Sequence, residues 1–171
     1  KDDAPTAALA ASPTTASATL DETGGLDTAT ITAANVAGLF ATPVYGQDGA
    51  GSVAYKLNAT DGVATGLFLT SDQAHAHEIK LVKISDTQFQ GWSDGNTSTG
   101  TLAFTISING TTGAVTVQQN ATLDHPLDGA SNPDDSVSLS GSATVWVSQT
   151  VTDADGDTST AGSSAASALS I

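Results

Sequence analysis

The apolar residues of this chain fall into short runs that alternate with polar residues, and no segment repeats with the period of about 3.6 residues that marks an amphipathic helix. Alternation sends successive side chains to opposite faces, which is the pattern of a half-buried β-strand. Gly, Asn and Asp, the residues that turns favour, punctuate the runs. The pattern therefore predicts an all-β chain of many short strands, which is typical of a β-sandwich.

The strands are expected to follow one another at short intervals in one module. Residues 1–19 have no period and are rich in Ala, Ser, Thr and Pro, so we interpret them as a linker with the strand that leads into a single module over residues 20–171. We expect eight to ten mostly antiparallel strands in an Ig- or cadherin-like arrangement. After an acidic turn and a short opening strand, the predicted strands are 53–57, 66–70, 78–84, 88–92, 102–108, 114–118, 137–139 and 143–152.

One turn and the positions of three apolar side chains can also be predicted. Residues 107–113 separate two alternating runs and predict a hairpin turn, for which Asn109-Gly110 is the strongest signal. The aromatic residues are few, and we expect Trp146 and Val151 in the core of the penultimate strand, with Trp92 near the end of another.

The charge of the chain excludes several classes of partner. It has 18 acidic residues against four basic ones, a formal net charge of −14. Such a surface repels the phosphates of nucleic acids and of anionic membranes. No apolar run reaches the roughly 20 residues that a membrane-spanning helix needs, so no membrane insertion is expected. Unbalanced carboxylates repel one another in a compact fold unless cations offset them, although the charge can also serve solubility alone.

Neither the cysteine content nor the histidines indicate an enzyme. The chain has no Cys, so it has neither disulfides nor thiolate chemistry, and its stability must come from elsewhere, for example from bound calcium. His75 and His77 would share a face if they lay in one strand, but a catalytic zinc needs a third protein ligand and no HExxH motif is present. We interpret them as exposed residues at a strand edge and expect no enzymatic activity.

The sharpest candidate site is the run of carboxylates Asp153, Asp155 and Asp157. Side chains at alternate positions can converge on one cation if the backbone turns sharply, and Gly156 permits such a turn. Calcium binds oxygen ligands, and three carboxylates this close repel one another without a cation. The spacing is not that of an EF-hand, because Gly156 is at the fourth loop position and Ser164 is at the twelfth. The alternative is a solvated acidic turn.

Further acidic residues could add ligands. Any single pair of them is more typical of an exposed turn, but their number in a chain this poor in Lys raises the chance that some converge in space. The candidates are Asp2, Asp3, Asp21, Glu22, Asp124, Asp134 and Asp135.

Several segments, in a fixed order, carry a resemblance to a known family. They are Leu20–Thr23, Tyr45–Leu57, Gly66–Phe68, Glu78–Leu81, Phe104–Ile108, Thr112–Thr116, Asp124–Pro126, Asn132–Leu139 and Val151–Asp157. Together they resemble a repeat of very large RTX-type bacterial adhesins and toxins, over about residues 20–171. His75, His77 and the Ser-, Thr- and Gly-rich segment 91–100 depart from that pattern.

The resemblance implies a tandemly repeated, extracellular module of a bacterial cell-surface protein, exported by a type I system and involved in adhesion and biofilm formation. In such proteins calcium stiffens the repeats and their junctions. The expected function is thus a calcium-stiffened spacer that projects distal binding domains, with neighbouring repeats as partners and Asp2 and Asp3 at an ion between modules. The alternative is a calcium-dependent module that binds glycans or surface proteins, for which Trp92 and Tyr45 are the candidate contacts.

Overall fold

The computed structural model describes residues 3–22, 25–125, 137–139 and 143–171. In these residues the chain is all-β, as predicted, with eight strands and one helix of five residues, α1. Among the described residues, no helix has the length and apolar character that a membrane span requires. The elements are β1 (Thr28–Ile31), α1 (Ala33–Ala37), β2 (Ala50–Asn58), β3 (Ile79–Ser85), β4 (Gln88–Ser93), β5 (Leu102–Ile108), β6 (Val115–Gln119), β7 (Trp146–Asp153) and β8 (Thr158–Gly162).

The strands form two antiparallel sheets, consistent with a β-sandwich. One sheet has five strands in the order β1-β6-β5-β4-β3, and the other has three in the order β2-β7-β8. Every pair of neighbouring strands is antiparallel. The β2–β7 ladder joins residues 88 to 103 positions apart in the chain and runs from Ala50 opposite Asp153 to Asn58 opposite Trp146. This long-range ladder brings together the loops at the ends of the smaller sheet.

The core contains the inward-facing residues of both sheets. Leu57, Phe89, Ile106 and Val147 are each no more than 1% exposed, because alternation gives each strand one apolar face. A backbone hydrogen bond of 2.8 Å from the Tyr55 N–H to the Gly110 carbonyl ties the smaller sheet to the β5–β6 turn. The two sheets are therefore held together by both packing and backbone contacts.

Most of the predicted strands exist, and two do not. The predictions at 53–57, 78–84, 88–92, 102–108, 114–118 and 143–152 all overlap strands of the structure. The prediction at 66–70 is wrong, because this segment makes an isolated bridge between Leu69 and Leu123 rather than a ladder. Residues 137–139 also lie outside the strands, and the Leu139 N–H donates to the Ile171 carbonyl. Both segments are apolar enough to pack against the core without pairing along their length.

Helix α1 was not predicted. It is a short turn in which the Thr32 hydroxyl accepts from the Asn35 N–H at 3.2 Å and Gly38 ends the helix. A helix this short cannot display a helical period, because five residues span less than two turns. Its one buried side chain, Val36, anchors it to the core.

The position expected for Trp146 is wrong and that of Val151 is confirmed. Along β7 the odd-numbered residues are buried and the even-numbered ones half-buried, so Val147 and Val151 face the core and Trp146 faces outward. Residues 146 and 151 have opposite parity in an unbroken strand, and they cannot share a face. Trp92 is the penultimate residue of β4, near a strand end as expected.

The hairpin turn predicted over residues 107–113 is confirmed between β5 and β6. Asn109 Oδ1 accepts from the Thr111 and Thr112 N–H groups at 3.0 and 2.9 Å. The left-handed residue is Gly113, with φ of +79°. Asn109 thus initiates the turn through its side chain, and a later glycine closes it.

Residues 3–19 lie against the module. Thr6 pairs with Val44 and Leu9 with Phe40 through isolated antiparallel bridges. Ala16 is buried, and Ser17 forms a parallel bridge with Ser170. The division into a linker and a module at residue 20 stays a prediction.

Candidate metal centre

Three carboxylates from two separate parts of the chain meet at one end of the smaller sheet. Asp153 is the last residue of β7, and Asp155 lies in the turn to β8. Asp48 lies in the loop just before β2, and the β2–β7 ladder places Ala50 opposite Asp153. One oxygen from each of the three carboxylates lies within 4.8 Å of the other two.

The β7–β8 turn is built around the Asp153 side chain. Asp153 Oδ1 accepts from the Gly156 N–H at 3.1 Å and from the Asp157 N–H at 2.8 Å. The Asp153 N–H in turn donates to the Asp157 carbonyl at 3.1 Å. Gly156 has φ of +105°, a conformation that L side chains rarely adopt, which accords with the role predicted for it.

A second glycine lets β2 come close to this turn. A Cβ added at Gly51 would clash with the carbonyl oxygens of Asp153 and Thr152. The ladder has a bulge here, between Ala50 and Ser52. Bulges are common beside functional sites, where they redirect a side chain or end the pairing of two strands.

The centre has an acceptor without a donor. Asp153 is 3% exposed, and its Oδ2 has no hydrogen-bond partner among the described residues. Asp48 is half-buried and Asp155 is exposed. A buried carboxylate oxygen without a donor or a cation is costly, so the arrangement favours a positively charged ligand.

The pKa of Asp155 is raised from its ordinary value. The largest cause is the hydrogen bond that its protonated carboxyl can make to Asp153, followed by partial desolvation and the negative charge of Asp153, with the charge of Asp48 adding to them. A bound cation would remove the same repulsion without a proton. The donor set is three carboxylates, the hard oxygen ligands that calcium and magnesium prefer, and so these residues fit a divalent cation of that type.

The centre includes only some of the ligands expected from the sequence. Asp153 and Asp155 come together, whereas Asp157 lies outside the group and contributes its backbone N–H to Asp153. Asp48 was not among the expected ligands. Its signal in the sequence is an acidic residue within a Gly-rich turn before a strand, but this signal points to Asp153 only once β2 is known to pair with β7.

Among the described residues, the other acidic candidates Asp3, Asp21, Glu22 and Asp124 do not join the group. Asp2, Asp134 and Asp135 lie outside the described residues. The backbone N–H of Asp3 donates to Asp48 Oδ2 at 3.2 Å, and that of Asp21 donates to Asp27 Oδ2 at 3.0 Å. Glu22 accepts from the Gln119 side chain and the Leu123 N–H, and Asp124 Oδ2 lies 2.5 Å from His75 Nε2.

His75 and His77 are exposed, precede β3 and have different partners. His75 stacks on Phe68, with ring centroids 4.4 Å apart, and pairs with Asp124. His77 Nδ1 lies 2.6 Å from Asp94 Oδ2, and this hydrogen bond raises the pKa of His77. In the described part of the chain they do not converge on a shared metal site.

The aromatic residues of the alternative function lie in different places. Tyr45 is half-buried in the same loop as Asp48. Trp92 belongs to the five-stranded sheet, and its indole N–H donates to Gln90 Oε1 at 2.8 Å.

Fold and site together define an all-β module of two antiparallel sheets with an acidic centre that could bind a metal ion. The chain belongs to the family described as a domain of unknown function, DUF5801, which residues 17–164 match. The matched range contains all eight strands and all three carboxylates of the centre. Neither the curated proteins nor the solved structures contain a significant match to the chain.

Proposed function

We propose that this chain is a calcium-binding structural repeat, a stiff spacer in a large secreted adhesin of the bacterial cell surface. The observation that carries the proposal is the buried Asp153 carboxylate, whose Oδ2 has no donor among the described residues, while the carboxylates of Asp48 and Asp155 lie within 4.8 Å. A cation at this point would compensate three negative charges that otherwise repel one another.

Calcium suits this centre better than other common cations. It accepts about six to eight oxygen ligands in flexible geometry, so carboxylates from a loop, a strand end and a turn can be combined with carbonyls or water. Magnesium demands near-ideal octahedral geometry and gives up its water reluctantly. Zinc favours nitrogen and sulfur ligands, and the centre contains only oxygen.

A bound ion would act mechanically. It would link the start of β2, the end of β7 and the turn into β8, so that the loops at this end of the smaller sheet could not separate without losing the ion. The resemblance to repeats of giant RTX-type adhesins supports the wider role, with neighbouring repeats as partners, distal domains that bind the target, and an extracellular location. The excess of 18 acidic over four basic residues fits a protein that works in the presence of calcium.

Calcium should stabilise the folded chain, because it binds the native state only. At a calcium concentration about 100 times Kd the gain is about 2.7 kcal/mol, which for a chain of this size raises Tm by roughly 5–11 °C. Calorimetry in calcium and in EDTA measures this shift. An unchanged melting curve would contradict the proposal, and a larger shift with magnesium would identify a different ion.

Two matched variants locate the ion. Asp155→Asn removes one charge of the centre and should abolish most of the calcium-dependent rise in Tm. Asp61→Asn is the control, because Asp61 is also exposed and also precedes a glycine with positive φ, Gly62, but lies outside the centre. Asn can still accept the hydrogen bond that Asp61 Oδ1 receives from the Lys83 N–H. Equal losses in the two variants would place the ion elsewhere.

A further inference from the structure

The first residues of the described chain form an N-terminal strap, residues 3–10, that is attached both to the segment preceding Asp48 and to β8. On one side the Thr6 N–H donates to the Val44 carbonyl at 2.8 Å, and the Ala10 N–H donates to the Leu39 carbonyl at 3.0 Å. On the other side the Ala7 N–H donates to the Ser159 hydroxyl on β8 at 3.1 Å. The strap therefore connects the segment that leads to Asp48 with the strand that follows Asp155.

The strap also contacts a carboxylate of the centre directly. The Asp3 N–H donates to Asp48 Oδ2 at 3.2 Å. The Asp3 carbonyl packs onto Gly46, where a Cβ would clash with it. The position of Asp48 thus depends on the strap, although the Asp3 side chain is not part of the group of three carboxylates.

We propose that docking of the N-terminal strap and binding of the metal ion are coupled, a regulation of the site that rests on the proposed function. Without an ion, repulsion from Asp153 and Asp155 pushes the Asp48 loop away from the β7–β8 turn and loosens the strap that bridges them. With an ion, the loop and the turn are held together, and both attachment sides of the strap are in place.

This coupling must act in both directions. If the ion stabilises the docked strap by some factor, the docked strap raises the affinity for the ion by the same factor, because the two equilibria share one thermodynamic cycle. Unseating the strap should therefore weaken ion binding even when all three carboxylates are intact.

A pair of glycine variants tests the effect of strap docking on the affinity for the ion. Gly46→Ala introduces a methyl group that clashes with the Asp3 carbonyl, at φ of +71°. Gly62→Ala is the control, since its φ of +73° imposes the same backbone strain but nothing lies within 4 Å of the added Cβ. In calorimetric titrations of the full chain with calcium, Gly46→Ala should bind at least about five-fold more weakly than Gly62→Ala.

Hydrogen exchange tests the effect of the ion on docking of the strap, and this experiment leaves the Asp48 loop unmodified. Calcium should slow exchange of the Thr6 and Ala10 amides in the unmodified chain and leave them unchanged in Asp155→Asn, which does not touch the strap. The Ile79 amide, which donates to the Leu67 carbonyl at the edge of the other sheet, is the internal control.

The outcomes separate the two proposals. If the unmodified chain does not bind calcium, both the proposed function and the coupling are wrong. If calcium binds but the Thr6 and Ala10 amides exchange at the same rate with and without it, and Gly46→Ala binds as tightly as Gly62→Ala, the coupling is overturned and the metal site stands.

Discussion

At the scale of single residues, Asp153 has the least ordinary environment. It is the one buried charged residue among the described residues, and its two carboxylate oxygens have different roles. Oδ1 accepts two backbone N–H groups and so shapes the turn, whereas Oδ2 has no donor in the part of the chain that the structure describes. One side chain thus serves both the local fold and the candidate metal centre.

A second acidic residue, Asp86, is stabilised by cations that the chain itself supplies. Lys56 and Lys83 each lie 2.8 Å from its carboxylate, and their hydrogen bonds and charges lower its pKa to about 2. All three side chains are about half exposed, so solvent screens both ion pairs and their effect on stability is small.

Asp86 should contribute to stability at neutral pH and not in acid. Its folded-state pKa lies below the ordinary value of 3.8, so the contribution is complete above that value and is lost as the pH falls towards about 2. The difference in Tm between the unmodified chain and Asp86→Asn should therefore shrink between these pH values. Added salt should reduce the difference at neutral pH, because it screens exposed charges. A difference that does not change with pH would contradict the assigned ion pairs.

At the scale of elements, β7 connects the core to the candidate site. The alternation that buries Val147 and Val151 also buries Gln149 and Asp153, because all four residues lie on the same face. The carboxylate is buried because of its position in the strand and not because of its own chemistry. A one-residue shift in this strand would turn Asp153 outward and Trp146 inward.

The packing between β4 and β5 is close at Gly91, where there is no room for a side chain. A Cβ at Gly91 would clash with the ring of Phe104, which lies opposite it in the ladder and is 4% exposed. Gly91→Ala should therefore cost about 1–3 kcal/mol in urea unfolding, since a packed aromatic ring cannot move aside freely. At Gly110 the nearest atoms to an added Cβ are 3.6 Å away, so Gly110→Ala is the control and should have little effect. Equal stabilities of the two variants would show that Phe104 does not require the glycine.

At the scale of the whole molecule, the two sheets place the acidic centre at one end of the smaller sheet, next to the N-terminal strap. If the chain is a repeat of a larger protein, as we propose, an ion there would stabilise the region that faces a preceding repeat. The net charge of −14 would then add repulsion between consecutive repeats, which would favour an extended array.

A tandem of two copies should become longer and stiffer in small-angle scattering when calcium is added. Asp155→Asn in both copies tests the centre within each copy, and Asp2→Ala with Asp3→Ala in the second copy tests an additional ion between them. Asp155→Asn in both copies should abolish the change. If only Asp2→Ala with Asp3→Ala abolishes it, stiffness depends on an ion at the junction and not on the acidic centre within each copy. A tandem that is equally flexible with and without calcium would contradict the spacer role.

The sequence alone determined the features whose causes lie within a few residues. Alternation specifies most strands, since each strand face is defined by its own residues. The turn at Asn109 and the approach of Asp155 to Asp153 are also local, because the hydrogen bonds that form them span no more than five residues. The acidic turn could therefore be identified as a candidate site without knowledge of the fold.

Tertiary structure decided everything that depends on pairing between distant segments. Asp48 joins the centre only because β2 pairs with β7, whose paired residues lie 88 to 103 positions away in the chain, and local patterns do not encode which strands become neighbours. The strap contacts Asp48 and Ser159 for the same reason. Segment 66–70 has a strand-like composition, yet its backbone hydrogen bonds go to two different segments. The Leu67 carbonyl accepts from the Ile79 N–H, whereas the Thr70 N–H donates to the Thr122 carbonyl, so no continuous ladder forms. Local physics thus defines the elements, while long-range burial and pairing select which loops meet and complete the site.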